Sequence, residues 1–133
     1  MTFGEMQKVL VADDDAINRM VLGELLKPEY TVVLAKNGAQ TLERAARHAP
    51  DLILLDVMMP ELDSLATLES LRRMPHLADT PALFVTGLTN ASDIERYADA
   101  GAIGVIPKPL VPLKLTDQLR TLWEQHQLGH PNA

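Results

Sequence analysis

The chain has 133 residues, a length that suits one compact domain, and its 47% hydrophobic and 23% charged residues are the balance of an ordinary soluble globular protein. A formal net charge of −6 argues against direct nucleic-acid binding, which needs clustered Lys and Arg to displace phosphate counterions. The lack of cysteine excludes disulfide frameworks, thiolate zinc sites and cysteine nucleophiles and fits a cytoplasmic protein, and no apolar run approaches the roughly 18 residues of a membrane-spanning helix.

Short, continuously apolar runs alternate with longer stretches of helical period, the pattern of strands joined by crossover helices into a parallel sheet covered on both faces. The first run, 9–12, ends in Asp13, Asp14 and Asp15. A helix is expected over about 16–26, with Ile17, Met20, Val21 and Leu25 as its inward stripe and Pro28 marking its end. The second run, 30–34, is followed by Asn37 and Gln40 at capping-box spacing, opening a helix that turns Leu42, Ala45 and Ala46 inward. The third run, 52–55, ends at Asp56, and a helix carrying Leu65, Leu68 and Leu71 follows until Pro75 stops it. After the fourth run, 82–85, comes Thr86, then a helix capped by Asn90 and closed by Gly101. The fifth run, 104–106, leads to Lys108, and Pro112 suits the first turn of a last helix with Leu115, Leu119 and Leu122 buried. Residues 128–133 read as a tail or the start of a linker. His126 and His130, one turn apart, fit a polar tail better than a metal pair.

An open parallel sheet takes its ligand beyond the carboxyl ends of its strands, so the residues there carry the chemistry. Carboxylates brought together at that edge repel one another and favour protonation unless a cation neutralises them, and an all-oxygen ligand set suits Mg²⁺. Thr86 and Lys108 add a hydroxyl and an ammonium, groups that stabilise the oxygens of a transferring phosphoryl group. Asp56 then reads as the nucleophile, giving a labile acyl phosphate suited to a reversible switch. Each residue alone has an ordinary explanation. Asp13 and Asp14 can be caps, Asp15 reads as a helix-start residue, and Thr86 and Lys108 are common on surfaces. Their joint placement at successive strand ends carries the reading. Tyr97 and Trp123 read as packing residues.

With VLVADDD at 9–15, DLILLDVMMPELD at 51–63, LFVTG at 83–87 and IPKP at 106–109, the chain resembles the receiver domain of bacterial two-component response regulators over nearly its whole length, 1–127. The resemblance implies an α/β fold, a (βα)5 flavodoxin-like doubly wound parallel sheet with strand order 2-1-3-4-5. It implies that Asp56 is the phosphoacceptor, and that Mg²⁺ is held by Asp13, Asp14, Asp56 and the Met58 carbonyl, with Asp14 the direct ligand of the acidic pair. Thr86 and Lys108 bind the phosphoryl oxygens, with help from the Gly87 N–H, and the Lys108–Pro109 bond is of the kind typically cis in this family. The implied donor is a sensor histidine kinase or a phosphotransfer protein, and the reader is a downstream effector protein or domain. A phosphorylation-linked dimer is compatible with this. The chain would catalyse its own phosphorylation and dephosphorylation without turning over an external substrate.

Ser64 and Val105 depart from the pattern. Ser64 replaces a glycine, putting the loop there at odds with the family, and Val105 stands where many receivers carry a Tyr or Phe that moves inward on activation. Met58 and Leu88, both apolar, flank the site and orient hydrolytic water poorly, which implies a long-lived phosphoryl group. Two other readings compete. One is a phosphorylation-independent interaction module. The other is a phosphohydrolase, for which Asp13 and Asp15 offer a DxD spacing but Ile17 and the lack of a cap speak against it.

Overall fold

Five parallel strands alternate with five helices: β1 (Lys8–Ala12), α1 (Ala16–Leu26), β2 (Thr31–Ala35), α2 (Gly38–His48), β3 (Leu52–Asp56), α3 (Ser64–Arg72), β4 (Ala82–Thr86), α4 (Ala91–Asp99), β5 (Gly104–Pro107) and α5 (Pro112–Gly129). The computed structural model describes residues 7–56, 64–87, 90–108 and 110–129. The strand order is β2-β1-β3-β4-β5, as the family resemblance implies, and every pairing is parallel, as the alternation of apolar runs and helical stretches predicts. Among the described residues, no helix is long and apolar enough to cross a membrane.

The continuous apolar runs are explained by burial on both sides. Every residue of β3 and β4 is buried, and their side chains alternate between two cores. On one face Leu10, Ile53, Leu55 and Phe84 meet Ala45 of α2, Leu68 and Leu71 of α3 and Tyr97 of α4. On the other, Val9, Val11, Leu54 and Val85 meet Leu22 and Leu26 of α1 and Leu115, Leu119 and Trp123 of α5.

Polar side chains set the helix starts. The Asp15 carboxylate accepts from the amides of Ile17 (2.8 Å) and Asn18 (3.2 Å) and caps α1. Asn37 caps α2 by accepting from Gln40 N at 2.8 Å, while Gln40 Oε1 accepts from Lys36 N at 3.0 Å, so the return bond of the expected box lands one residue earlier. Asn90 caps α4, accepting from Asp93 N at 2.9 Å. That helix ends at Asp99 with Ala100 as its cap, and Gly101 follows with a φ of 101°, the left-handed conformation expected of it. The C-cap of α2 is Ala49, left-handed at φ 47° although it carries a Cβ.

The inward stripe expected of α1 is wrong. Ile17, Met20 and Val21 are 68%, 59% and 42% exposed; Leu22 and Leu26 are buried, and Leu25 packs partly against the same core. The helix is apolar in several directions, so period alone did not select the face, and the sheet and α5 chose the one with two leucines one turn apart. In α2, Ala46 is exposed, and Thr41 is buried along with Ala45. Ser64 is taken into α3 as its first residue, and α5 continues through Gly129, past the boundary expected at Gln127.

Candidate functional site

Parallel pairing brings the carboxyl ends of all five strands to one edge. The register of Ala12 with Leu55 sets the following residues, Asp13 and Asp56, side by side, and Asp56 in turn pairs with Val85. Thr86 is the last residue of β4, opposite Pro107 of β5. The Lys108 amide donates to the Thr86 carbonyl at 2.9 Å, carrying the β4–β5 ladder one residue further and holding the lysine over the edge. Its Nζ lies 2.8 Å from Asp56 Oδ2.

These groups are sequestered. Asp13 is 2% exposed, Asp56 5%, and Thr86 fully buried. Asp13 is fixed from three directions: its amide donates to Ala35 O at 3.1 Å, its Oδ1 accepts from Asp15 N at 2.8 Å, and its carbonyl accepts from Arg19 Nη1 at 2.6 Å. The role of Arg19 was not expected from the sequence, where it reads as one more basic residue on a helix. Burial pushes the Asp13 carboxyl up from 3.8 to about 7, aided by the charge of Asp56 and a hydrogen bond with it; the Asp15 amide and Lys108 work the other way. Two buried carboxylates thus face one lysine, and the pair either retains a proton or calls for a second cation.

Asp14 is half-exposed, one residue along the chain. Among the described residues, no three acidic or imidazole groups gather as a ligand set, so the convergence is the Asp13–Asp56 pair. Asp15 serves as the exposed cap of α1, which leaves the DxD reading without its second carboxylate. Gly87 is exposed at the end of β4, with open space where a Cβ would stand. Met58, Met59, Leu88, Pro109 and His130 lie outside the described residues. Beside Asp13 and Lys108, a cleft of about 570 Å³ opens between α1 and the start of α5, lined mostly by apolar side chains such as Leu22, Leu25, Leu110 and Pro112.

The sequence profile of the response regulator receiver domain matches residues 9–120. The chain belongs to the response regulator receiver family. This receiver is similar to the response regulator MprA of Mycobacterium ulcerans (strain Agy99), with 37% identity over 127 residues that cover 95% of this chain and 54% of MprA. It is also 37% identical over 110 residues to protein-glutamate methylesterase/protein-glutamine glutaminase 2 of Methanospirillum hungatei JF-1, covering 78% of this chain and 31% of that protein. The receiver therefore spans about half, or less, of the length of these relatives. Among solved structures, the chemotaxis response regulator CheY4 of Vibrio cholerae superposes with a TM-score of 0.82 at 28% identity, covering 89% of this chain and 99% of CheY4. The receiver domain of a signal transduction histidine kinase from Syntrophus aciditrophicus gives 0.76 at 28% identity, covering 90% and 91%.

Proposed function

We propose that this receiver is a phosphorylation switch in which Asp56 accepts a phosphoryl group, with Mg²⁺ as cofactor, from a phosphohistidine on a sensor kinase or phosphotransfer protein. The observation that carries this reading is the buried Asp56 carboxylate, paired with Lys108 Nζ at 2.8 Å and hydrogen-bonded to Asp13, at the end of the strand next to Thr86. In the transfer, an Asp56 oxygen forms a bond to phosphorus as the P–N bond to the donor imidazole breaks, and the leaving imidazole takes up a proton. Lys108 holds Asp56 in the resting site and pairs with the phosphoryl oxygens after transfer, and the Thr86 hydroxyl bonds the same group.

The donor set fits a hard divalent cation. It is all oxygen, and a cation there would offset the cost of the buried charge that, with the neighbouring Asp56, lifts Asp13 to about 7. By resemblance, Asp13, Asp14, Asp56 and the Met58 carbonyl would hold it, and when bound it neutralises the carboxylates and the charge on the transferring oxygens. The added phosphoryl charge and acceptor oxygens bias a pre-existing equilibrium between two conformations, and a downstream effector reads the favoured one. The only turnover is of the chain's own modification.

Intact-mass measurement after incubation with Mg²⁺ and acetyl phosphate tests this. One phosphoryl adduct is expected on wild type, and none on Asp56→Asn or after chelation of the metal. No adduct on wild type, even with a competent phosphohistidine donor, would overturn the reading in favour of a phosphorylation-independent binding module. Repeated hydrolysis of a small phosphate ester would instead favour a phosphohydrolase.

A further inference from the structure

Helix α4 is attached to the sheet differently from the other four. Tyr97 is its one buried side chain; apart from the half-buried Asp93, every other α4 residue is exposed. By contrast α1 is anchored by Leu22 and Leu26, α3 by Thr67, Leu68 and Leu71, and α5 by Leu115, Leu119 and Trp123. The Tyr97 ring is fully buried against Phe84 of β4, with centroids 5.0 Å apart and planes tilted by 57°, a geometry in which two rings attract each other beyond simple burial. The Arg96 guanidinium lies 6.0 Å from the Tyr97 centroid on the outer side of this contact.

Phe84 stands two residues before Thr86 on the same strand, so both side chains project to the face covered by α2, α3 and α4. Opposite Phe84 on β5 is Val105, half-buried against the same core. Close-packed rings do not absorb displacement by compression, and α4, which also packs beside β5, has Tyr97 as its one buried side chain in the core. A shift of the β4 end therefore bears directly on α4 through this pair of rings.

We propose that Tyr97 is the positioning residue through which Thr86 sets the placement of α4, the Phe84–Tyr97 ring pair turning movement at the end of β4 into movement of the helix. This rests on the reading of Asp56 as phosphoacceptor and deepens it, naming the element that the phosphoryl group governs. Coupling of this kind needs a demonstrated response of the element itself, beyond its lying between two places.

The test labels the protein with Mg²⁺ and acetyl phosphate, reads occupancy on Asp56 by intact mass, and follows backbone amides and the Tyr97 ring by NMR. In wild type, labelling should shift the Tyr97 ring signals together with the amides of Ile94 to Ala98. Tyr97→Leu and Phe84→Leu should take the label to the same extent and keep the shifts at Thr86 and Gly87, but lose those of α4. Tyr97→Phe should behave as wild type. The proposal is overturned if α4 responds fully in Tyr97→Leu, or if wild-type Tyr97 ring signals stay unchanged at full labelling, a readout that depends on no variant folding. A Tyr97→Phe protein that matches the Leu variant would assign the effect to the hydroxyl and overturn the ring-packing account. No mass adduct on wild type is a different failure: it sinks the phosphoacceptor reading, and this inference with it.

Discussion

At the amino edge of the sheet, Asp51 Oδ2 accepts from the amides of Gln7 and Lys8 at 2.9 Å each, and Lys8 Nζ donates to the His48 carbonyl at 2.9 Å. There too, Arg72 donates to the carbonyls of Leu77 (3.2 Å), Thr80 (2.7 Å) and Gly101 (3.2 Å), tying the end of α3 to the turns that enter β4 and β5. At the carboxyl edge, Asp13 and Asp56 face each other across one lysine, and burial holds Asp13 near 7. Backbone dipoles satisfy the charges at the first edge, so those charges fasten loops. At the second, like charges are held together by a rigid sheet, a local cost that the rest of the fold carries and that a charge-compensating ligand can relieve.

Substitutions at the two edges should therefore have opposite signs. The largest effect is expected for Arg72→Met, which strands loop carbonyls and should destabilise the domain by about 2–3 kcal/mol in chemical denaturation while leaving the Asp56 mass adduct intact. Next is Asp13→Asn, which keeps an acceptor for the Asp15 amide and removes the buried charge; metal-free protein at pH 7 should gain about 2 kcal/mol. The same variant sharpens the pH dependence. In wild type Asp13 keeps its proton up to about 7 when folded but only to its ordinary 3.8 when unfolded, so its contribution to stability is fully present below 3.8 and is lost as pH rises through 7. Denaturation midpoints measured from pH 4 to 8 without metal should show this decline in wild type, and a flatter profile in Asp13→Asn.

Two smaller effects concern caps. Asp15→Ala removes the acceptor for two amides at the start of α1 and should cost about 1 kcal/mol by thermal or chemical denaturation, a loss that an alanine there cannot recover through any contact of its own. Ala49→Gly relieves the left-handed strain at the end of α2 against a greater loss of chain entropy, for a net gain of about 0.5 kcal/mol in the same measurement.

The residues at the strand ends were legible because a continuous apolar run and the polar residue that closes it are neighbours in the chain. The sequence pattern places Asp13, Asp56, Thr86 and Lys108 at one edge and identifies the caps Asn37 and Asn90 and the left-handed Gly101, whereas Asp15, which reads only as a helix-start residue, proves to be the cap of α1 in place of Asp13 or Asp14. The face of α1 was not legible. Ile17, Met20, Val21, Leu22, Leu25 and Leu26 surround that helix, and its rotation was settled by contact with α5 and the sheet. Nor could the sequence show that burial raises the Asp13 carboxyl to about 7, that Lys108 lies 2.8 Å from Asp56, that Arg72 reaches three carbonyls or that Tyr97 is the one buried side chain of α4.

Local period and end chemistry act over a few residues, and so the order of elements, the caps of α2 and α4 and the gathering of Asp13, Asp56, Thr86 and Lys108 at one sheet edge followed from the chain alone. Burial and charge pairing depend on how closely distant strands approach and how much water they exclude, and those distances exist only once β1, β3, β4 and β5 stand side by side.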